Sequence, residues 1–334
     1  MRLFYKLFIG TVLLLYLNNV NAQKDEPAKM FRLYEENDFF NLRGNGTDKS
    51  YSNGIRLDFF YEKQATHGLV HKLMPKAGDS SKNMYGWSLM QIMVTPDNIR
   101  STTYLPNDYY YAGALFITHS LYSYNTKKKY SFQTELLAGI RGPESFAKET
   151  QTAMHGLINY QKPKGWANQL RTQPLVNIRL GVEKGLLSIN DVIEVNAGAQ
   201  LKAGSLMDLV TFYPMLRVGK MSPYFVGHMD QYGSFKRNGK QVKTQYYLVV
   251  KPSVSFVAYN AMLKGNRENE KKNVYEYKNN EASPSIRNDI LDIQYGAVLA
   301  HGNFAISYLQ TTTSAYIEGL DKHSFGNLSL YFRW

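Results

Sequence analysis

Residues 193–203, IEVNAGAQLKA, alternate without a break. Ile193, Val195, Ala197, Ala199, Leu201 and Ala203 are apolar, whereas Glu194, Asn196, Gly198, Gln200 and Lys202 are polar or small. Successive side chains of a β-strand point to opposite faces, so this segment has one greasy face and one polar face. Its length is the deciding feature. Strands of soluble domains run to about five or six residues, while a tilted membrane strand needs about nine to eleven. The segment reads as a transmembrane strand with its apolar face toward lipid and its polar face toward a lumen.

The same pattern recurs on both sides of it. From Tyr51 to Tyr61 the odd positions are Tyr, Asn, Ile, Leu, Phe and Tyr, and from Tyr130 to Ile140 the even positions are Tyr, Phe, Thr, Leu, Ala and Ile. Strands are expected over 29–40, 50–62, 83–95, 109–122, 129–140, 170–185, 190–203, 209–220, 244–260, 286–300, 302–314 and 324–334. Twelve is an even count, as bacterial single-chain barrels require. The fold class is therefore all-β, a transmembrane antiparallel β-barrel. The last segment, with Leu328, Leu330, Phe332 and Trp334 on one face, ends on an aromatic residue of the kind that outer-membrane assembly reads.

Composition agrees and excludes other classes. At 44% hydrophobic and 14% aromatic the chain is too apolar for disorder. The absence of Cys removes disulfide scaffolds and thiolate zinc sites. Residues 1–22 read as a secretory signal peptide: Arg2 and Lys6 supply the positive region, residues 7–17 the apolar run, and Val20 and Ala22 the small positions before the cut. Losing Arg2 and Lys6 lowers the net charge from +12 to +10, which suits an anionic partner. The mature domain is expected to be one barrel over 23–334 in the bacterial outer membrane.

One stretch breaks the alternation. Gly142-Pro143-Glu144 opens a helix-compatible segment over about 144–159, and Lys162-Pro163-Lys164-Gly165 closes it. Strand parity puts this helix in an extracellular loop after strand five. The same rim carries Glu35-Glu36-Asn37-Asp38 at the end of strand one and Thr47 to Gly54 at the start of strand two. These polar clusters meet at the level of the outer leaflet, which is rich in lipopolysaccharide.

Ester hydrolysis is the chemistry these residues suit. His155 is the candidate base because imidazole titrates near neutrality, and Gln151, four residues earlier on the same helix face, is placed to orient it. Asp38 and Asn37 offer the hard oxygens that Ca²⁺ prefers. Ser52 is either a nucleophile or a hydrogen-bonding support. Adjacent residues of a regular strand diverge, so Asn37 and Asp38 serve one centre only at a bulge or where the strand has ended. The contiguous His119-Ser120 pair fails as a phospholipase dyad for the same reason. A non-catalytic barrel (a small pore or a structural protein), a barrel phospholipase using Ser52, and a soluble periplasmic β-sandwich stay open as alternatives.

In order along the chain, Glu36-Asn37-Asp38, Thr47-Asp48, Tyr51 to Gly54, Gln91, Thr95-Pro96, Asp108 to Gly113, Gly139 to Pro143, Glu149, Gln151, His155, Pro163 to Trp166 and Asn168 to Leu170 resemble the outer-membrane lipid A 3'-O-deacylase (LpxR-like) family. The resemblance implies a twelve-stranded barrel that removes the 3'-linked acyloxyacyl group of lipid A with Ca²⁺ as cofactor. It implies a site between the barrel wall and the loop helix, with His155 activating water, Asn37 and Asp38 as the essential pair, and Ser52 where a Thr is often found. Two positions depart from the pattern. Phe39 stands where some members have a second Asp, and only Arg100 is present over 96–108 to replace a substrate-positioning Lys. The expected partner is lipopolysaccharide in its membrane, with no nucleic acid, and the barrel acts as a monomer.

Overall fold

The structure is a computed structural model and describes residues 28–42, 50–63, 74–103, 108–264 and 285–334. The signal peptide and the Thr47-Asp48-Lys49 part of the second rim cluster lie outside the described residues. The strands are β1 (Lys29–Asn37), β2 (Ser50–Glu62), β3 (Lys82–Thr95), β4 (Ala112–Asn125), β5 (Tyr130–Arg141), β6 (Gln173–Ile189), β7 (Ile193–Gly204) and β8 (Met207–Lys220). They continue with the short β9 (Phe235–Arg237) and β10 (Lys240–Val242), then β11 (Thr244–Asn260), β12 (Asp289–His301), β13 (Phe304–Thr313) and β14 (His323–Arg333). Setting aside the β9–β10 hairpin, the other twelve close into one antiparallel barrel in which each pairs with its chain neighbours and β1 pairs with β14. No helix among the described residues is long and apolar enough to cross a membrane, and the crossing is made by strands.

Alternation sorts the side chains as the sequence predicts. Phe31, Leu33, Leu57, Phe59, Trp87 and Leu89 are among the large apolar residues exposed on the outer wall. Toward the lumen the chain places charge instead. Arg32 and Arg56 each donate through Nε to Asp58 at 2.7 Å, and Arg56 Nη2 reaches Glu135 on β5 at 2.6 Å. A charged lumen of this kind is tolerable because each ion is paired inside a cavity that lipid does not enter.

Residues 221–243, where no strand is expected, occupy the periplasmic half of the lumen with two 3-10 turns (Tyr224–Val226 and Met229–Tyr232) followed by the β9–β10 hairpin. Tyr232 stacks on Tyr331 of the wall at 3.9 Å, and His228 stacks on Tyr122. Burial, with Arg32 nearby, pushes the His228 imidazole down to about 3, so it packs as a neutral ring. At the extracellular mouth Tyr109, Tyr110, Leu170, Leu206, Tyr259 and Leu263 form an apolar cluster. Packing at both ends of the lumen disfavours an open pore.

Several boundaries differ from expectation: β1 ends at Asn37 rather than 40, β6 covers Gln173–Ile189 rather than 170–185, and β7 begins at Ile193 rather than 190. β4 begins at Ala112 rather than 109, because the preceding tyrosines turn into the mouth cluster. β12 begins at Asp289 rather than 286, since Ile286 bridges to Ile317 instead of continuing the ladder. The loop helix α1 covers Ala147–Ile158 rather than 144–159. Pro143–Ser145 forms a separate 3-10 turn, and Phe146, at φ 57°, puts a left-handed residue between the two.

Candidate active site on the outer wall

β1 ends at Asn37, and Asp38 opens a 3-10 turn (Asp38–Phe40). The pair therefore sits where the strand stops, which removes the divergence that a continued strand would impose. The Asn37 side chain accepts from the Phe39 N–H at 2.7 Å and sets the turn. The turn folds outward over β14 and β13: Tyr308 Oη donates to the Phe40 carbonyl at 2.6 Å, and the Leu42 N–H donates to Gln310 Oε1 at 3.0 Å. A Cβ at Gly326 would overlap the Phe40 backbone, so the close approach needs glycine there. Asp38 is buried, while Phe39 and Leu42 are exposed.

The neighbouring strand contributes a bulge. Tyr51 pairs with Val94 and Asn53 with Met93, so Ser52 is the extra residue. A bulge sets two residues opposite one and re-aims their side chains. Here Ser52 and Asn53 together oppose Met93, while Tyr51 turns inward, where its hydroxyl donates to Glu36 at 2.8 Å. Asn53 is the register partner of Asn37. Ser52 is fully buried, and its hydroxyl is 3.5 Å from the Met93 carbonyl.

Met93 connects this wall to the helix. It packs with Ile99, Tyr111, Ala147 and Trp166 in one buried cluster. Gln91, two residues earlier on the same face, donates to the Ser145 carbonyl. The residues of α1 that are buried are Ala147, Gln151 and His155, spaced by four. That spacing forms a single stripe along a helix, so Gln151 and His155 both lie on the buried face. Glu144 ties the approach to α1 down from outside: it accepts from the Thr172 hydroxyl at 2.7 Å, which holds its carboxyl below the usual range. Phe146, just before α1, and Leu157 and Ile158 on it remain exposed.

His155 Nδ1 lies 2.6 Å from the Gln161 carbonyl. A carbonyl only accepts, so Nδ1 carries a proton, and in the neutral ring the lone pair is then on Nε2. The Tyr160 ring meets the imidazole edge to face at 5.1 Å. Gln151, expected to orient this ring, accepts through its Oε1 from Trp166 Nε1 at 2.8 Å. The orienting carbonyl of Gln161 was not legible in the sequence, because a backbone group leaves no mark on residue type. Arg100 is exposed on the β3–β4 loop, which is tied to the 163–168 segment by Lys164 N–H to Ile99 O at 2.8 Å and Asn168 Nδ2 to Thr102 O at 2.8 Å. His119 lies against the Trp87 ring at 4.4 Å, away from the rim.

Gly113 on β4 is where helix and wall touch: a Cβ there would overlap Ala147 Cβ and Ser145 Oγ. Gly113→Val is expected to lift the first turn of α1 off the barrel while the strands still pair. Misplacing a catalytic group by about an ångström costs on the order of 100-fold in rate. The check is faster proteolytic cleavage within 143–168 of the folded barrel, together with that loss of activity.

The rim offers oxygens for Ca²⁺. Asp38 is a buried carboxylate, and Asn53 Oδ1 is buried with no hydrogen-bond partner among the described residues. Asn37 Oδ1 and the Glu35 carboxylate add further oxygen donors. No cluster of three or more His, Cys, Asp or Glu suited to a metal occurs among the described residues. A mixed carboxylate–amide set remains, and it fits a hard cation in kind of donor.

A closed twelve-stranded barrel with a polar site on its lipid-facing rim is an outer-membrane protein. The chain belongs to the LpxR family: the profile described as Outer membrane protein LpxR matches residues 7–334. Among solved structures it resembles LpxR from Salmonella typhimurium with a TM-score of 0.71 and 17% identity, covering 91% of this chain and 99% of that one. The beta domain of the Bordetella autotransporter BrkA matches at a TM-score of 0.43 and 10% identity over 92% of this chain and 99% of that chain. No curated protein matches the sequence.

Proposed function

We propose that this outer-membrane barrel is a lipid A deacylase, an ester hydrolase that removes the 3'-linked acyloxyacyl group of lipopolysaccharide in the outer leaflet. The observation that carries this reading is His155, fixed as a base by the Gln161 carbonyl and turned toward the outer barrel wall. Membership of the LpxR family supports it, and so do the exposed apolar residues on the rim, which suit a substrate held among acyl chains.

His155 Nε2 takes a proton from water as the water oxygen bonds to the ester carbonyl carbon. The resulting tetrahedral adduct breaks its bond to the sugar oxygen, which leaves with the proton returned by His155. Asp38 and Asn37 are the residues that would hold Ca²⁺, and the ion, when bound, would supply a Lewis acid for the carbonyl oxygen. Ser52, with its hydroxyl toward a backbone carbonyl, supports the wall and is not a nucleophile. Gln151 keeps Trp166 and the helix in place, and exposed Arg100 meets the anionic headgroup.

Mass spectrometry of lipid A from cells with and without the protein tests the proposal. The expected result is loss of the mass of the 3'-linked group only when the protein is present. Unchanged lipid A in a strain whose lipid A carries that group overturns it.

A further inference from the structure

The outer face of β1 reads Phe31, Leu33, Glu35, Asn37, and the facing positions of β2 are Phe59, Leu57, Ile55 and Asn53. A carboxylate on this apolar stripe is out of place by composition. Ionisable groups facing lipid are costly and mark function. Glu35 accepts from Asn53 Nδ2 at 2.6 Å. That bond fixes the Asn53 amide with its other end, Oδ1, buried and unpartnered among the described residues. Asn53 is 8% exposed and sits opposite Asn37 in the ladder. Buried amide oxygens are normally satisfied, and one left open beside acidic groups suits a cation.

We infer that Glu35 and Asn53 belong to the Ca²⁺ site, Glu35 supplying the second carboxylate and Asn53 Oδ1 a neutral ligand. The inference rests on the Ca²⁺ reading above. Because side chains of a strand repeat every two residues, Glu35 and Asn37 share a face.

Calorimetric titration of the purified, detergent-folded barrel with Ca²⁺ tests this independently of turnover. Four proteins are compared: wild type, Glu35→Gln, Asn53→Ala and Asp38→Asn, each first shown to be folded by its heat-modifiable migration. Wild type is expected to bind one Ca²⁺. Removing a ligand charge weakens oxygen sites strongly, so Glu35→Gln and Asn53→Ala are expected to raise Kd by roughly tenfold or more. If Asp38→Asn abolishes binding while Glu35→Gln and Asn53→Ala bind as wild type, the inference is overturned and the Asp38 site stands. If wild type itself binds no Ca²⁺, both are overturned.

Discussion

His155→Gln is expected to leave a folded, heat-modifiable barrel that no longer deacylates lipid A. The glutamine amide can still donate a hydrogen bond to the Gln161 carbonyl, which the imidazole Nδ1 contacts at 2.6 Å, so α1 keeps its tie to the following segment. What is lost is the lone pair on Nε2. A positioned general base contributes about 10²–10⁴-fold, and α1 carries no other His. His155→Ala is expected to be equally inactive, because it too lacks the base. The measurement is the initial rate of acyl release from lipid A in mixed micelles, with barrel migration as the control. A rate within tenfold of wild type in folded His155→Gln means that His155 is structural.

The barrel itself was legible because its signal is repeated. Twelve long alternating segments each carry the period of a strand, and an error at one end of one segment does not change the parity of the whole. The errors fall where tertiary contact overrides the local pattern. Tyr109 and Tyr110 have strand-forming side chains, yet they are drawn into the mouth cluster with Leu170 and Tyr259. The 221–243 segment shows no period because it packs against the lumen from within and has no face to alternate.

At the site, residue type marked Asn37, Asp38, Ser52, Gln151 and His155, but their relations needed backbone geometry. The bulge at Ser52 and the strand end at Asn37 are single-residue events with no periodicity to reveal them. Gly113 could have been suspected as a close approach, since glycine in a strand interior often marks one. That the site lies on the outer surface of the barrel follows only from register. Asn37, Asn53, Met93 and Gly113 occupy outward positions on four adjacent strands, and α1 leans on the last two.

Those four strands are braced from the other side, which leads to the second large effect. Arg32 on β1 and Asp58 on β2 are register partners, Arg56 lies two residues along on the same inward face, and Arg56 also reaches Ser88 on β3, Thr118 on β4 and Glu135 on β5. Asp58 has no exposed surface in its side chain and receives both guanidinium groups as well as the Ser88 hydroxyl. Asp58→Ala leaves two buried cations with Glu135 as the one carboxylate among the described residues still paired to either of them. Breaking a buried pair in this way costs about 3–5 kcal/mol, because the remaining charge is neither hydrated nor matched. Urea unfolding of the barrel in detergent is expected to show that loss as a lower midpoint, whereas Glu144→Gln, on the exposed loop, is expected to leave the midpoint near wild type. Since β1 to β4 carry the site on their outer face and the brace on their inner face, the Asp58 variant is also expected to deacylate more slowly well below its unfolding midpoint. A wild-type midpoint for Asp58→Ala would mean that the arginines are matched by other lumen carboxylates, and that the curvature of this sector is set by strand pairing alone.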